Sequence, residues 1–251
     1  MKRLKYKIII SFLVIGVMTT ISCKKFLDIN SDPDAILTAP IEQQLSSLTV
    51  NIGFFAGSDV NRYTSLIMQQ YSGQSSGTQN NTQLIEKYLI QGSDENNAWS
   101  AMYATILNDA ENIIKDANAT GSPHYSGVAK IIKAYAYQIS VDVWWVISFS
   151  ETQQLTENTQ PKYDKAEEIY KGLIKLLDEG IAEVNAPTSN KPPGKTSTIY
   201  PGTFSETKVN WVKFANTLKL RIYLHYSEKD ATFTKTQIDQ LINSGVPLFP
   251  S

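Results

Sequence analysis

Few residues in this sequence are of a type and spacing that could do chemistry, and those few fit binding better than turnover. Glycoside hydrolysis needs two carboxylates facing each other a few ångströms apart across a sugar. Asp142 and Glu151, which bracket Trp144 and Trp145, are the one pair worth testing for it. Their place at a helix end and in its exit loop gives each a structural reading, so no catalytic residue is assigned. The two histidines, His124 in a turn and His225 late in a helix, have no cysteine partners and no acid at metal-helix spacing. No metal site and no cofactor is therefore expected. His225 reads as a helix C-terminal residue facing the dipole. Gly73 and Gly77 lie among Ser and Thr without a following Gly-Lys-Ser/Thr, so there is no phosphate loop.

Sugar capture asks for a different set. A carbohydrate offers apolar C–H faces to aromatic rings and hydroxyls to amides, so a site wants exposed rings beside Asn and Gln. The uncharged stretch from Ser72 to Gly92 supplies Gln74, Gln79, Asn80, Asn81 and Gln83, with Tyr88 close behind. We read Gln74, Asn80, Asn81, Gln83 and Tyr88 as candidate ligand contacts, against the plainer alternative of a solvated loop. Trp145 joins them. Neighbours on a helix point about 100° apart, so Trp144 and Trp145 cannot share one narrow stripe, and one packs while the other is exposed. Trp99 and Trp211 lie on apolar stripes and read as core.

These residues must be held by helices. Glu42–Phe55 and Val60–Tyr71 read as two, the second with Tyr63, Leu66, Ile67 and Tyr71 on one face. Ser72 to Gly92 has no helical period. Asn97–Asn118 and Tyr125–Trp145 form a pair joined by Gly121-Ser122-Pro123, a turn short enough to force antiparallel neighbours. A loop from Ser148 to Tyr163 leads to Asp164, read as an N-cap with Glu167 reaching back, ahead of an amphipathic helix Lys165–Val184. A second long loop, Ala186–Ser205, precedes a helix Asn210–Ser227. Thr234 with Gln237 opens a last helix that Gly245 ends. With no alternating strand pattern, the expected fold is all-α, tetratricopeptide-like antiparallel helix pairs with long loops.

The first residues set the compartment. Lys2, Arg3, Lys5 and Lys7 precede an apolar run from Ile8 to Ile21. That run is short of the roughly 20 residues a membrane-spanning helix needs, and the layout is that of a secretory signal over residues 1–22. The sole cysteine, Cys23, follows directly after Thr20-Ile21-Ser22, which is similar to a bacterial lipobox although Leu is usual where Thr20 stands. Acylation at Cys23 would anchor the mature chain to lipid, with residues 23–40 as a polar tether and 41–251 as the helical domain. The whole chain carries 23 basic and 24 acidic residues. The leader holds four of the basic ones and no acid, so the mature chain is mildly acidic and gives nucleic acid no footing.

Several stretches resemble the SusD/RagB family of outer-membrane nutrient-binding lipoproteins. They are Cys23-Lys24-Lys25-Phe26-Leu27-Asp28 through Asp32-Pro33, Trp99-Ser100-Ala101-Met102-Tyr103 with Asn108 to Ile114, Pro161-Lys162-Tyr163-Asp164 leading into Glu168-Ile169-Tyr170, and Trp211 to Arg221. They occur in family order along nearly the whole chain. The resemblance implies a scaffold of tetratricopeptide-like units on the outer face of a Gram-negative cell. It further implies capture of oligosaccharide, or less often peptide, for a SusC-like TonB-dependent transporter. Members are roughly double this length, so the chain would correspond to an N-terminal half, with most of the family's binding residues beyond it. One segment departs from the pattern: where the family has aromatic-Gly-Asp-aliphatic-Pro, this chain has Trp144-Trp145-Val146-Ile147-Ser148. The alternatives to a nutrient-binding role are a lipid-anchored glycan hydrolase and a tetratricopeptide-type adaptor that binds protein but no sugar.

Overall fold

The computed structural model describes residues 39–73, 81–154 and 157–249. The leader, Cys23 and the tether as far as residue 38 lie outside the described residues, as do Gln74 and Asn80. In chain order the elements are α1 (Ile41–Gly57), α2 (Asp59–Ile67), α3 (Asn81–Glu86) and a 3₁₀ turn (Gly92–Glu95). Then α4 (Asn96–Ser100) runs through a π-helical stretch (Ala101–Leu107) into α5 (Asn108–Thr120). α6 (Pro123–Trp144), α7 (Ala166–Val184), α8 (Phe204–His225) and α9 (Ala231–Asn243) complete the series. Among the described residues there is no strand, only the isolated antiparallel bridge Ile147–Asp164. The fold is all-α.

α6 is the central rod, in contact with α1, α5, α7 and α8. A helix that is apolar or small on most sides can be buried by neighbours on most sides. α6 buries Val128, Ile131, Ile132 and Ile139 on its apolar stripe, and Ser126, Gly127, Ala129, Ala134 and Ala136 around it. Pro123 opens the helix at a first-turn position where its missing N–H costs nothing. Gly121, at φ 63°, ends α5 in the left-handed conformation that glycine adopts without strain, so α5 and α6 pack as an antiparallel pair.

α6 and α7 meet at two glycines. A β-carbon on Gly127 would stand 2.7 Å from the carbonyl oxygen of Gly180 and 2.7 Å from the nitrogen of Val184. Around this crossing Lys130 bridges Glu179 (3.0 Å) and Glu183 (2.7 Å) of α7, and Lys133 pairs with Glu111 of α5. Burial pushes the Lys130 ammonium down, but Glu183 and Glu179 outweigh it and raise its pKa overall. Such half-exposed pairs contribute less than about 1 kcal/mol each; apolar burial carries the fold.

Several boundaries differ from the sequence expectation, each for a local reason. The Val60–Tyr71 helix stops at Ile67, and Gln69 beyond it has φ 55°. The stretch read as loop from Ser72 to Gly92 contains α3, whose Ile85 packs with Tyr63 and Leu66 in a small cluster apart from the main core. Asp164 does not cap α7: Lys165 holds that position and no side chain caps it. α8 starts earlier than expected, where the Glu206 carboxylate accepts from Thr203 N (2.8 Å) and Thr203 Oγ1 (2.7 Å). α9 is opened by Asp230, whose carboxylate accepts from Phe233 N at 2.9 Å. Thr234 is buried instead and donates to the carbonyl of Tyr223. Gly245 follows the end of α9 at φ 69°, as expected.

Candidate functional site

Three separated segments meet at one aromatic cluster. Trp99 on α4 and Tyr103 in the π-helical stretch are four residues apart, and their ring centroids lie 4.7 Å apart. Trp144, the last residue of α6, meets Trp99 edge-on at 5.1 Å. Tyr163, from the loop before α7, stacks on Trp99 at 6.4 Å with planes 28° apart. A π-bulge in a helix is uncommon and recurs at functional sites. Here the Tyr103 carbonyl in that bulge accepts from Gln153 Nε2 at 3.1 Å.

The Trp99, Tyr103 and Tyr163 rings wall an open cleft of about 450 Å³, whose polar lining comes from Ser148, Thr152, Gln153 and Gln160. Its size is that of a small-ligand site. No charged residue lines it. Tyr103 donates its hydroxyl to the carbonyl of Ser148 at 2.8 Å. Burial, the main cause, pushes that phenol well above its usual range, so it stays neutral. The Tyr163 ring is 60% exposed.

Asp164 holds the loop that shapes the cleft. Only 4% exposed, its carboxylate accepts from Phe149 N (2.9 Å), Ser150 N (2.7 Å) and Ser150 Oγ (2.8 Å). Its own N–H donates to the carbonyl of Ile147 at 2.9 Å. Burial alone would raise its pKa; the Ser150 and Phe149 hydrogen bonds and the nearby Lys162 outweigh that and hold it below the usual carboxylate range.

The carboxylate pair examined for hydrolysis is not assembled as one. Asp142 accepts from Tyr170 Oη at 2.5 Å and from the Gln138 amide, with His225 Nδ1 at 3.0 Å and Arg221 at 4.0 Å. Glu151 accepts from Asn158 Nδ2 and Lys162 N, both at 3.2 Å. The two acids share no partner, and each is engaged in holding helices or loop together. His225 thus faces Asp142 rather than only the helix end. His124 lies in the first turn of α6 rather than in a turn, stacked on Phe204 at 4.4 Å with Nε2 3.0 Å from the carbonyl of Ala186. Among the described residues no group of His, Cys, Asp and Glu could hold a metal ion.

Of the ligand contacts expected from sequence, Asn81, Gln83, Tyr88 and Trp145 are among the described residues. Asn81 opens α3 and Gln83 lies within it. Tyr88 is exposed, at φ 59°, and donates its hydroxyl to the carbonyl of Ile67 at 3.2 Å. Neither Gln83 nor Tyr88 lines the aromatic cleft. Trp211 is core, 1% exposed. Trp99 is not: it is half-buried and walls the cleft. Of the tryptophan pair, Trp144 packs against the core and Trp145 is 66% exposed. Tyr163, Gln153 and Gln160 were missed. The signal was present, because the Ser148–Tyr163 loop also places an aromatic beside amides.

Stacked helices hold a cleft walled by aromatic rings and lined by no charged residue. The chain belongs to the SusD-like family described as starch-binding and associating with the outer membrane, which matches residues 30–251. A SusD/RagB family protein from Bacteroides thetaiotaomicron has the same fold, with a TM-score of 0.70 and 20% identity over 85% of this chain and 44% of its own. A chitin-binding protein is 25% identical with a TM-score of 0.64, over 84% of this chain and 43% of its own. A chitin-binding SusD homolog from Flavobacterium johnsoniae is 20% identical with a TM-score of 0.62, over 83% and 43%. The chain spans less than half the length of these structures. No curated protein matches it.

Proposed function

We propose that this protein is a cell-surface lipoprotein that captures nutrient glycan in the Trp99–Tyr163 cleft and releases it unaltered. In this reading residues 1–22 are a signal peptide and Cys23 is acylated, with residues 23–40 tethering the helical domain to the outer membrane. The captured oligosaccharide passes to a SusC-like TonB-dependent transporter. Membership of the family supports glycan binding, and the chitin-binding relative supports an oligosaccharide ligand. The observation that carries the assignment of the site is the stacking of Tyr163 on Trp99 beside Thr152, Gln153 and Gln160. Rings of this kind take the C–H face of a sugar while amides and hydroxyls take its hydroxyl groups. Gln74, Asn80, Asn81, Gln83 and Tyr88 are also proposed as contacts for ligand or transporter.

Calorimetry with starch and chitin oligosaccharides tests the site. Tyr163→Ala removes an exposed ring that the core does not need, so the fold should persist while affinity falls by about tenfold, the scale of one aromatic contact. Unchanged affinity in a folded variant would remove the cleft from the account. Appearance of shorter products during the incubation would replace binding with hydrolysis. In the native host, palmitate label is expected on the wild type and absent from Cys23→Ser; label on neither would remove the lipid anchor.

A further inference from the structure

The hydrogens of the cleft wall already have partners within the protein. Tyr103 donates its hydroxyl to the carbonyl of Ser148 at 2.8 Å, and the Ser148 hydroxyl faces the carbonyl of Pro161 at 3.4 Å. Thr152 donates to the carbonyl of Phe149 at 3.0 Å. A hydroxyl has one hydrogen, so in the 2.6 Å contact between Thr152 Oγ1 and Tyr137 Oη it is Tyr137 that donates. Gln153 is held at φ 63°, with its amide 3.1 Å from the carbonyl of Tyr103. A carbonyl only accepts, so the NH2 end of that amide must face it and Oε1 is the end left over. What these four residues still offer is lone pairs, on Tyr103 Oη, Ser148 Oγ, Thr152 Oγ1 and Gln153 Oε1. Donors remain in the second N–H of Gln153 and in the exposed side chains of Gln160 and Tyr163.

The charge around this wall has the same sense. Glu151 and the buried Asp164 share a single ammonium, that of Lys162, at 3.6 and 3.8 Å, and Lys162 is itself more than half exposed. The Asp164 charge reaches the wall: burial is the main cause that raises the Tyr103 phenol, and the Asp164 carboxylate is among those that add to it. The ring faces of Trp99, Tyr103 and Tyr163 are negative as well. A surface of acceptors, net negative charge and ring faces is matched by a group that donates several hydrogens, accepts none and carries positive charge. Among sugar substituents that group is a free ammonium.

We propose that the Tyr103–Gln153 wall is an ammonium-binding subsite, so that the cleft prefers oligosaccharides of amino sugars with free amines over N-acetylated or unsubstituted ones. This rests on the cleft being a glycan site, and it adds the substituent that the site selects.

The test is calorimetry at mildly acidic pH, where the sugar amines are charged, with hexasaccharides of glucosamine, of N-acetylglucosamine and of glucose. Wild type is expected to bind the glucosamine hexasaccharide about tenfold more tightly than either neutral one. Raising the salt from about 0.05 to about 0.5 M should reduce that preference and leave the neutral sugars unchanged. Gln153→Lys keeps a donor for the Tyr103 carbonyl while putting a positive charge in place of Oε1, and thermal melting checks that it folds. Its preference for the glucosamine probe should fall below about twofold, with the neutral hexasaccharides still bound. Equal affinities for the three probes, tighter binding of a neutral one, or a preference that survives Gln153→Lys overturns this proposal. Neutral-sugar binding that still depends on Tyr163 would then leave the cleft reading standing. Absence of binding by wild type to every probe removes both.

Discussion

Gly127→Ala is expected to destabilise the protein by about 3 kcal/mol, although Gly53→Ala should stabilise it by about 0.5–1 kcal/mol. Both glycines lie inside helices, and intrinsic helix propensity favours alanine at each by the same amount. They differ in what a β-carbon would meet. At Gly53 there is nothing within 4 Å. At Gly127 the new carbon would stand 2.7 Å from backbone atoms of Gly180 and Val184, which cannot rotate away as a side chain would. The only relief is to move α7 off α6, and that loosens Ile131, Leu177 and Val184, all fully buried. Urea unfolding of the two variants measures both signs. A stable Gly127→Ala protein would mean that the two helices do not cross as closely as described.

The second large effect is expected from Asp164→Ala, at about 3 kcal/mol of lost stability together with weakened glycan binding. Hydrogen bonds to a charged acceptor contribute about 1.5–3 kcal/mol each at most, and removing the acceptor leaves the donors unsatisfied. Three donors, Phe149 N, Ser150 N and Ser150 Oγ, lose their partner at once. They shape the stretch that brings Ser148 and Thr152 to the cleft, so binding should suffer with stability. The pH dependence has a definite sign. Because the folded-state pKa of Asp164 is lowered, its stabilisation is complete above the unfolded value of about 3.9 and is lost as pH falls through the folded one. The gap in unfolding free energy between wild type and Asp164→Asn should therefore be flat from pH 7 to about 5 and shrink below about 4. A gap that grows on acidification would contradict this role.

Asp164 also shows where sequence reasoning runs out. An Asp followed three residues later by Glu167 just ahead of an amphipathic helix has the look of a cap, and a local rule can see no further than that helix. The carboxylate instead serves backbone donors fifteen residues earlier, because the Ile147–Asp164 bridge brings the two strands of loop together. α7 was legible because its burial follows period 3.6, and α5 and α6 because the turn between them is too short for any other pairing. The π-helical stretch at Ala101–Leu107 was not, since it widens a helix without changing its residue pattern. Trp99 was misread for the same reason that its helix was read correctly: it lies on the apolar stripe, but the stripe's end faces the cleft.

Of the proposed site, the residue types were legible and the tertiary pairing that assembles the cleft was not. The criterion of rings beside amides, applied in the sequence to the Ser72–Gly92 loop, is also met by the Ser148–Tyr163 loop. The Ser72–Gly92 segment has the richer amide content, yet the described part of it packs as α3 with Ile85 inward. The cleft is assembled from Trp99 and Tyr103, from Ser148, Thr152 and Gln153, and from Gln160, Pro161 and Tyr163, and only tertiary pairing brings them together. Trp145 was legible as exposed from the 100° rule, but its positive-φ turn was not, because a tryptophan stands where the family's glycine would set it.

The most direct measurement is a crystal structure of the mature protein soaked with a neutral chitin or starch hexasaccharide. The account predicts sugar rings lying against Tyr163 and Trp99, every glycosidic bond intact. An ordered hexasaccharide bound elsewhere with the cleft empty, or a cleaved product in it, would contradict it.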